Sequence, residues 1–322
     1  MPTMEMDSQI AGTAEFARAV IDGLGQPQKI IPARYFYDMA GSELFEEITR
    51  LPEYYPTRTE VGLLRDHAQD IARLTGTAKT LVEFGSGSST KTPLLFDALL
   101  PRSYVPIDIS DGFLEQSALA LGKAYPDIAM LPVAADFTHP LRLPSAVKGA
   151  LIGFFPGSTI GNFAHAAAVD LLRSLRRTLG SDARLVIGVD LRKNCRLLET
   201  AYDDAAGVTA RFNLNLLARI NRELHGDVPV ADFEHRVVWN NLVGRIEMHL
   251  EAQVDVRFHA AGQSFAMRRG ETIHTENSYK YTLEEIRLLA RASGWEPMAA
   301  WTDVDGLFSV HVWAAGSGQV EP

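Results

Sequence analysis

The chain has 322 residues, 46% of them hydrophobic and 22% charged, and a net charge of −9. This is a globular composition with room for one large or two ordinary domains, and its acidity argues against nucleic-acid backbone as a partner. No apolar run approaches the roughly 18–20 residues that span a bilayer. The opening MPTMEMDSQIAGTAEF lacks the basic region and apolar core of a signal peptide. A single cysteine, Cys195, can make neither an internal disulfide nor a thiolate metal cluster, so a reducing cytoplasm is the expected location, with neither membrane nor obligate protein partner.

In chain order, residues 10–25 predict a helix, broken by Pro27 and Pro32. The segment RYFYDMAGSELFEEITRLPEYYPTRTE (34–60) is crowded with aromatics; Ser42, Phe45 and Ile48 predict a short capped helix stopped by Pro52, and residues 58–74 a further helix. From residue 80 strands and helices alternate: TLVEFG, a helix at 91–100, SYVPIDIS, a helix at 111–124, IAMLPVAADF, GALIGFFPGS, a helix at 163–179 and ARLVIGVDL. That order implies a parallel sheet wrapped by helices. Residues 195–280 break the rhythm, with a helix over 201–224 and then antiparallel strands turning near Asn241–Gly244. A helix at 281–295 and the strands MAAWTD and FSVHVWAA close the chain. The expected organisation is a Rossmann-like α/β core from 61–194 plus 281–322. An inserted α+β domain from 1–60 plus 195–280 would lid the carboxyl ends of the strands, where open α/β sheets bind ligands.

The chemistry begins at LVEFGSGSSTKT (81–92), a strand, the acid Glu83 and a glycine turn. A dinucleotide fingerprint wants glycine or alanine where this turn has Thr90, which disfavours a nicotinamide oxidoreductase. The turn suits a nucleotide without pyrophosphate, such as S-adenosyl-L-methionine. Asp108, ending the second strand, is placed for the ribose hydroxyls. Asp136 and Phe137, ending the third, are placed for an adenine amino group and ring. Taken singly, these acids read equally well as loop caps and Phe137 as core.

Over nearly its whole length the sequence resembles the ergothioneine-pathway histidine Nα-methyltransferases, through FYD, GSELFEEITRLPEYYPTRTE, VEFGSGSSTKT, GSTIGN, AYDDAAGVTARFN, NRE, RIEMHL and TENS. The resemblance implies a class I S-adenosylmethionine-dependent methyltransferase core with an inserted domain, and three methylations of the α-amine of L-histidine to give hercynine. It puts Gly85, Gly87 and Lys91 in the cofactor loop, with Asp108, Asp136 and Phe137 around the nucleoside. Asn162 and Tyr202 become the clamp for the substrate carboxylate, beside Gly157 and Thr159. Tyr37 and Tyr54 close on the reacting amine, with Tyr37 also on the cofactor side. Glu276 and Ser278 bind the imidazole, and Met248 and Phe212 shape its pocket.

In-line transfer of a sulfonium methyl needs a neutral amine about 3–3.5 Å away and no metal. No His-x-His or Cys-x-x-Cys pattern occurs, and His225 and His235 are too far apart for a helical metal pair. Tyr37 and Tyr54 can accept a hydrogen bond from the amine; no residue stands out as a general base. Each site residue also has a plain structural role open to it. Glu276 and Ser278 read as a turn or an ion pair, Tyr54 as packing, Met248 as filler, Tyr202 as a helix cap and Asn162 as the N-cap of the 163–179 helix. A methyltransferase for another amino acid or a modified histidine shares the fold, and a non-catalytic cofactor-binding protein is the remaining alternative.

Overall fold

The computed structural model describes residues 2–316. Met1, residues 317–322 and the side chains of residues 2–11 lie outside the described residues, and with them part of the N-terminal reading and the end of the expected core. The elements in order are α1 (Pro2–Leu24), β1 (Lys29–Ile30), a 3-10 turn Ala33–Phe36, α2 (Met39–Ile48), α3 (Tyr55–Thr75), β2 (Thr80–Phe84), α4 (Pro93–Leu99), β3 (Ser103–Asp108) and α5 (Asp111–Ala124). Then come β4 (Ala129–Met130), β5 (Val133–Ala134), β6 (Leu151–Phe155), a 3-10 turn Thr159–Asn162, α6 (His165–Leu179), β7 (Arg184–Asp190), α7 (Cys195–Tyr202) and α8 (Val208–Glu223). The chain ends with β8 (Phe233–Asn240), β9 (Arg245–Ala252), β10 (Val256–Ala260), β11 (Gln263–Met267), β12 (Thr272–Tyr279), α9 (Leu283–Ala292), β13 (Trp295–Thr302) and β14 (Phe308–Ala315).

These elements form two compact units, Met1–Glu53 with Cys195–Asn241 and Ile246–Asn277, and Tyr54–Asn194 with Leu242–Arg245 and Ser278–Pro322. The second holds a sheet of order β13-β14-β7-β6-β2-β3-β4, with β5 also on β3. Strands β3, β2, β6 and β7 are parallel and β14 runs against β7. The order reverses between β2 and β6, so the carboxyl ends of β2, β3 and β6 form the switch point where such sheets bind nucleotides. Strands β2 and β6 are buried at every residue, which is why they read as unbroken apolar runs. Period-two alternation sends Val82, Phe84 and Ile187 into the core under α6 and α9, and Leu81, Phe154 and Val186 into the core under α3 and α4. Gly188 of β7 is bare of necessity: a Cβ there would lie 1.9 Å from Glu60 Oε1 of α3.

In the first unit β1-β12-β9-β8 form one sheet and β10-β11 a separate hairpin. Helix α8 buries Phe212, Asn213, Leu216 and Ile220, the spacing of one helical face.

Three expectations change in detail. The helix expected over 201–224 is two helices, α7 and α8, because Asp204 accepts from the backbone N–H groups of Val208 and Thr209 at 2.9 and 2.8 Å and starts a new helix there. Helix α2 is capped by Asp38, which accepts from Gly41 N at 2.7 Å, while Ser42 is buried inside it. The boundary expected at 60/61 falls inside α3, and residues 54–60 and 278–280 belong to the second unit, where Tyr55 and Lys280 both bond Asp190 at the end of β7.

Candidate functional site

After Phe84 the backbone leaves β2 at Gly85, whose φ of +72° lies in the left-handed region. The N–H groups of Gly85 and Ser86 both donate to Ile107 O, at 2.9 and 3.1 Å, which seats the turn on β3. Asp108 follows Ile107. Its Oδ2 accepts from Gly87 N at 2.8 Å and its Oδ1 from Ser110 N at 3.0 Å. Burial pushes its carboxyl above the ordinary range, against the pull of those N–H groups. A Cβ on Gly87 would meet nothing within 4 Å, so the turn is open, and a Cβ on Gly85 would meet the Phe137 ring at 3.4 Å. An open glycine turn, a strand-end carboxylate and a flanking ring fit a nucleoside that brings no pyrophosphate.

Two residues of that set also carry structural roles. Asp136 caps its own turn, accepting from Thr138 N at 2.9 Å and Thr138 Oγ1 at 2.6 Å. Lys91 bonds Glu60 Oε2 at 2.5 Å. The Glu60 carboxylate also accepts from Gly157 N, at 3.0 and 2.9 Å, and so ties the glycine turn to the GSTIGN segment.

Within GSTIGN, Thr159 Oγ1 donates to Pro156 O at 2.9 Å, and Asn162 closes the 3-10 turn. Asn162 is not the N-cap of α6; Ala164 is. A Cβ on Gly161 would lie 2.7 Å from Tyr279 O, so this turn packs directly against the chain just after Ser278. Tyr54 is buried at the start of α3. These residues, with Ser278, are the part of the expected substrate set that lies in the second unit.

The first unit supplies Tyr37, Tyr202, Phe212, Met248 and Glu276. Tyr37 follows the first 3-10 turn, its ring edge-on to Phe45 and Phe212, each 5.8 Å away. Tyr202 ends α7, where His235 Nε2 donates to its carbonyl at 2.8 Å. His235 Nδ1 accepts from Asn213 at 2.8 Å, and burial lowers the imidazole pKa, so the ring is neutral. Asn213 Oδ1 accepts from Thr275 Oγ1, which also reaches Met248 O at 3.0 Å. One network thus fixes Tyr202, Met248 and the residue before Glu276. Glu276 and Ser278 stand two apart on β12, the spacing of one strand face.

The sequence patterns gave no role to five charged residues of the second unit. Glu83 is buried against Thr92 Oγ1, which donates at 2.5 Å, and Tyr104 OH, and burial pushes its carboxyl up to about 7 against those bonds. Asp190 accepts from Tyr55 OH at 2.9 and 2.8 Å, from Lys193 at 2.5 Å and from Lys280 at 2.7 Å. Burial pushes Asp190 up, but the two ammonium groups outweigh it and hold the carboxyl below its ordinary range. Burial lowers Lys193 to about 8, although Asp190 opposes this. Lys280 continues to Ser278 Oγ at 2.8 Å. The fifth is Glu60. Its signal was its place in EYYPTRTE, at the end of the motif that follows the paired aromatics.

Glu247, His249 and His274 come from two strands and bring one ligand-type atom each within 4.8 Å, a cluster invisible to spacing along the chain. The imidazoles stack at 4.8 Å and 23°, and His274 Nε2 donates to Glu276 O at 3.0 Å.

The model of the S-adenosylmethionine-dependent, histidine-specific methyltransferase family matches residues 16–315. The histidine N-alpha-methyltransferase of Mycolicibacterium smegmatis is 42% identical over 91% of this chain and 92% of its own length. That of Mycobacterium tuberculosis is 39% identical over 93% and 95%. Ergothioneine biosynthesis protein 1 of Neurospora crassa is 30% identical over 84% of this chain and 32% of its own length. The chain belongs to the histidine-specific, S-adenosylmethionine-dependent methyltransferases.

Proposed function

We infer that the protein transfers three methyl groups to the α-amine of L-histidine and releases hercynine, a step of ergothioneine biosynthesis. The observation that carries this reading is the family match over residues 16–315. S-adenosylmethionine supplies an electrophilic methyl on sulfur. Asp108 takes the ribose hydroxyls, the turn at Gly85 and Gly87 lets the nucleoside approach backbone, and Asp136 and Phe137 serve the adenine. Lys91 completes the loop from its bond to Glu60.

Asn162, Gly157, Thr159 and Tyr202 hold the substrate carboxylate. Glu276 accepts from one ring N–H, Ser278 serves the other nitrogen, and Met248 and Phe212 bound the ring. An amino acid without ring nitrogens offers neither a donor to Glu276 nor an acceptor to Ser278, which is how the site rejects it. Tyr37 and Tyr54, neutral near pH 7, accept hydrogen bonds from the amine and keep water from it. The amine must be neutral to attack, so its proton leaves before or as the tyrosines close on it. No described helix is long and apolar enough to cross a membrane. A cytoplasmic location suits a chain whose lone cysteine, Cys195, is exposed.

Mass spectrometry after incubation with S-adenosylmethionine and a panel of free amino acids tests the reading. Trimethylated histidine is the expected product. Methylation of another amino acid, with none of histidine, overturns it.

A further inference from the structure

The Asp190 carboxylate is a hub for three segments that stand far apart in the sequence. It takes Tyr55 from EYYP and Lys280 from the chain just after TENS, and its own backbone N–H donates to Ser158 Oγ of GSTIGN at 2.9 Å. Lys280 is fully buried, so its ammonium stays where Asp190 and Ser278 hold it. The backbone fixes the same point, because Lys280 N donates to Gly244 O at 2.9 Å and Tyr281 N to Asp190 O at 3.1 Å.

This geometry determines what Ser278 can offer. An ammonium only donates, so in the 2.8 Å contact Ser278 Oγ is the acceptor. One of its lone pairs is engaged, and its proton turns away from Lys280. The positive charge behind the hydroxyl also disfavours a protonated nitrogen in front of it. Two residues earlier on the same strand stands Glu276, whose ionised side chain can only accept. The pair is therefore polarised, with one acceptor and one donor. Asp190 balances the buried charge of Lys280, and Lys193 and Tyr55 hold Asp190 in place.

We propose that Asp190 and Lys280 are positioning residues that fix Ser278 as a donor, so that the site selects a neutral five-membered ring with one N–H and one lone-pair nitrogen. The inference rests on the reading of Glu276 and Ser278 as the ring-binding pair and adds the protonation state and tautomer they demand. Lys280 touches neither reacting atom. Its effect passes through Ser278 and falls on substrate choice.

The test compares L-histidine with 3-(pyrrol-3-yl)-L-alanine, which keeps a ring N–H and lacks the lone-pair nitrogen. In Lys280→Met the preference for histidine in kcat/KM should fall about 10-fold, the size of one hydrogen bond to a charged or polarised group. The loss should appear in KM, with kcat and cofactor affinity kept. In an S278A background the same substitution should leave the preference unchanged, because the group through which Lys280 acts is gone. An unchanged preference in a K280M protein that melts normally and binds S-adenosylmethionine overturns the proposal. So does an equal change with and without Ser278.

If K280M does not fold, nitrogen NMR of ring-labelled histidine bound to the wild-type protein with S-adenosylhomocysteine decides. Near pH 6, close to the reference histidine pKa of about 6.5, the bound ring should show one protonated and one lone-pair nitrogen. Two protonated nitrogens contradict the proposal. A wild-type protein that methylates no histidine overturns the functional reading itself, and shows it before any variant is made.

Discussion

Glu83 and Asp190 lie near the carboxyl ends of two parallel strands, on the same face of one sheet, and both are buried. Their partners differ. Glu83 meets the hydroxyls of Thr92 and Tyr104, and burial pushes its carboxyl up to about 7. Asp190 meets two ammonium groups and a phenol, and burial loses to the charges. Burial alone therefore does not set the ionisation of a core carboxyl; the charge of its partners does. Glu83 anchors the strand before the glycine turn and can be neutral. Asp190 must be charged, since two cations depend on it.

The strongest consequence of this contrast falls on stability. Asp190→Asn leaves Lys193 and Lys280 buried without their counter-charge and should cost about 3–5 kcal/mol in urea unfolding near pH 7. A loss below about 1 kcal/mol would put Asp190 on a par with a surface ion pair and erase the contrast.

Glu83 carries the opposite pH signature. Its folded pKa is raised, from 4.5 to about 7. The stability it contributes is whole below the unfolded value and is lost as pH rises through the folded one. Since a tenfold change in proton affinity is worth about 1.4 kcal/mol, this contribution is roughly 3 kcal/mol between acid and mildly basic pH. Glu83→Gln should remove this slope from the stability–pH profile. An unaltered profile would mean that the Glu83 carboxyl titrates alike in the folded and unfolded chain.

A weaker effect is expected at the cofactor. Asp108→Ala removes the proposed ribose acceptor and should weaken S-adenosylmethionine binding by roughly 1.5–3 kcal/mol. It also frees Gly87 N, so calorimetry must be paired with a melting curve. Unchanged affinity in a folded variant takes Asp108 out of the site.

Much of this architecture is legible in the sequence because it is written in local patterns. The strands β2, β3, β6 and β7 are apolar runs of strand length, and the order of strands and helices implies the parallel sheet. Asp108 and the glycine turn stand out by position alone, at the ends of the first two strands of that sheet. The proposed substrate residues rest on resemblance alone, since Glu276, Asn162 and Tyr202 have no local pattern that separates ligand from cap. What stays hidden is pairing over long separations. Asp190 meets Tyr55, 135 positions away, and Glu60 meets Gly157, 97 positions away, and no periodicity reports such contacts. The break between α7 and α8 is hidden for another reason: Asp204 bonds backbone four and five residues ahead, and an acid at that spacing leaves no mark in the apolar periodicity.

Whether this site reads an imidazole is decided by Glu276→Ala. One preparation should yield a melting temperature, a cofactor affinity and the ratio of activity on histidine to that on tryptophan. An imidazole-reading Glu276 predicts a folded variant that binds S-adenosylmethionine as before. Its histidine binding should fall by about 1.5–3 kcal/mol, roughly 10- to 150-fold, with the ratio shifted toward tryptophan. An unchanged ratio in a stable variant that binds the cofactor contradicts that role.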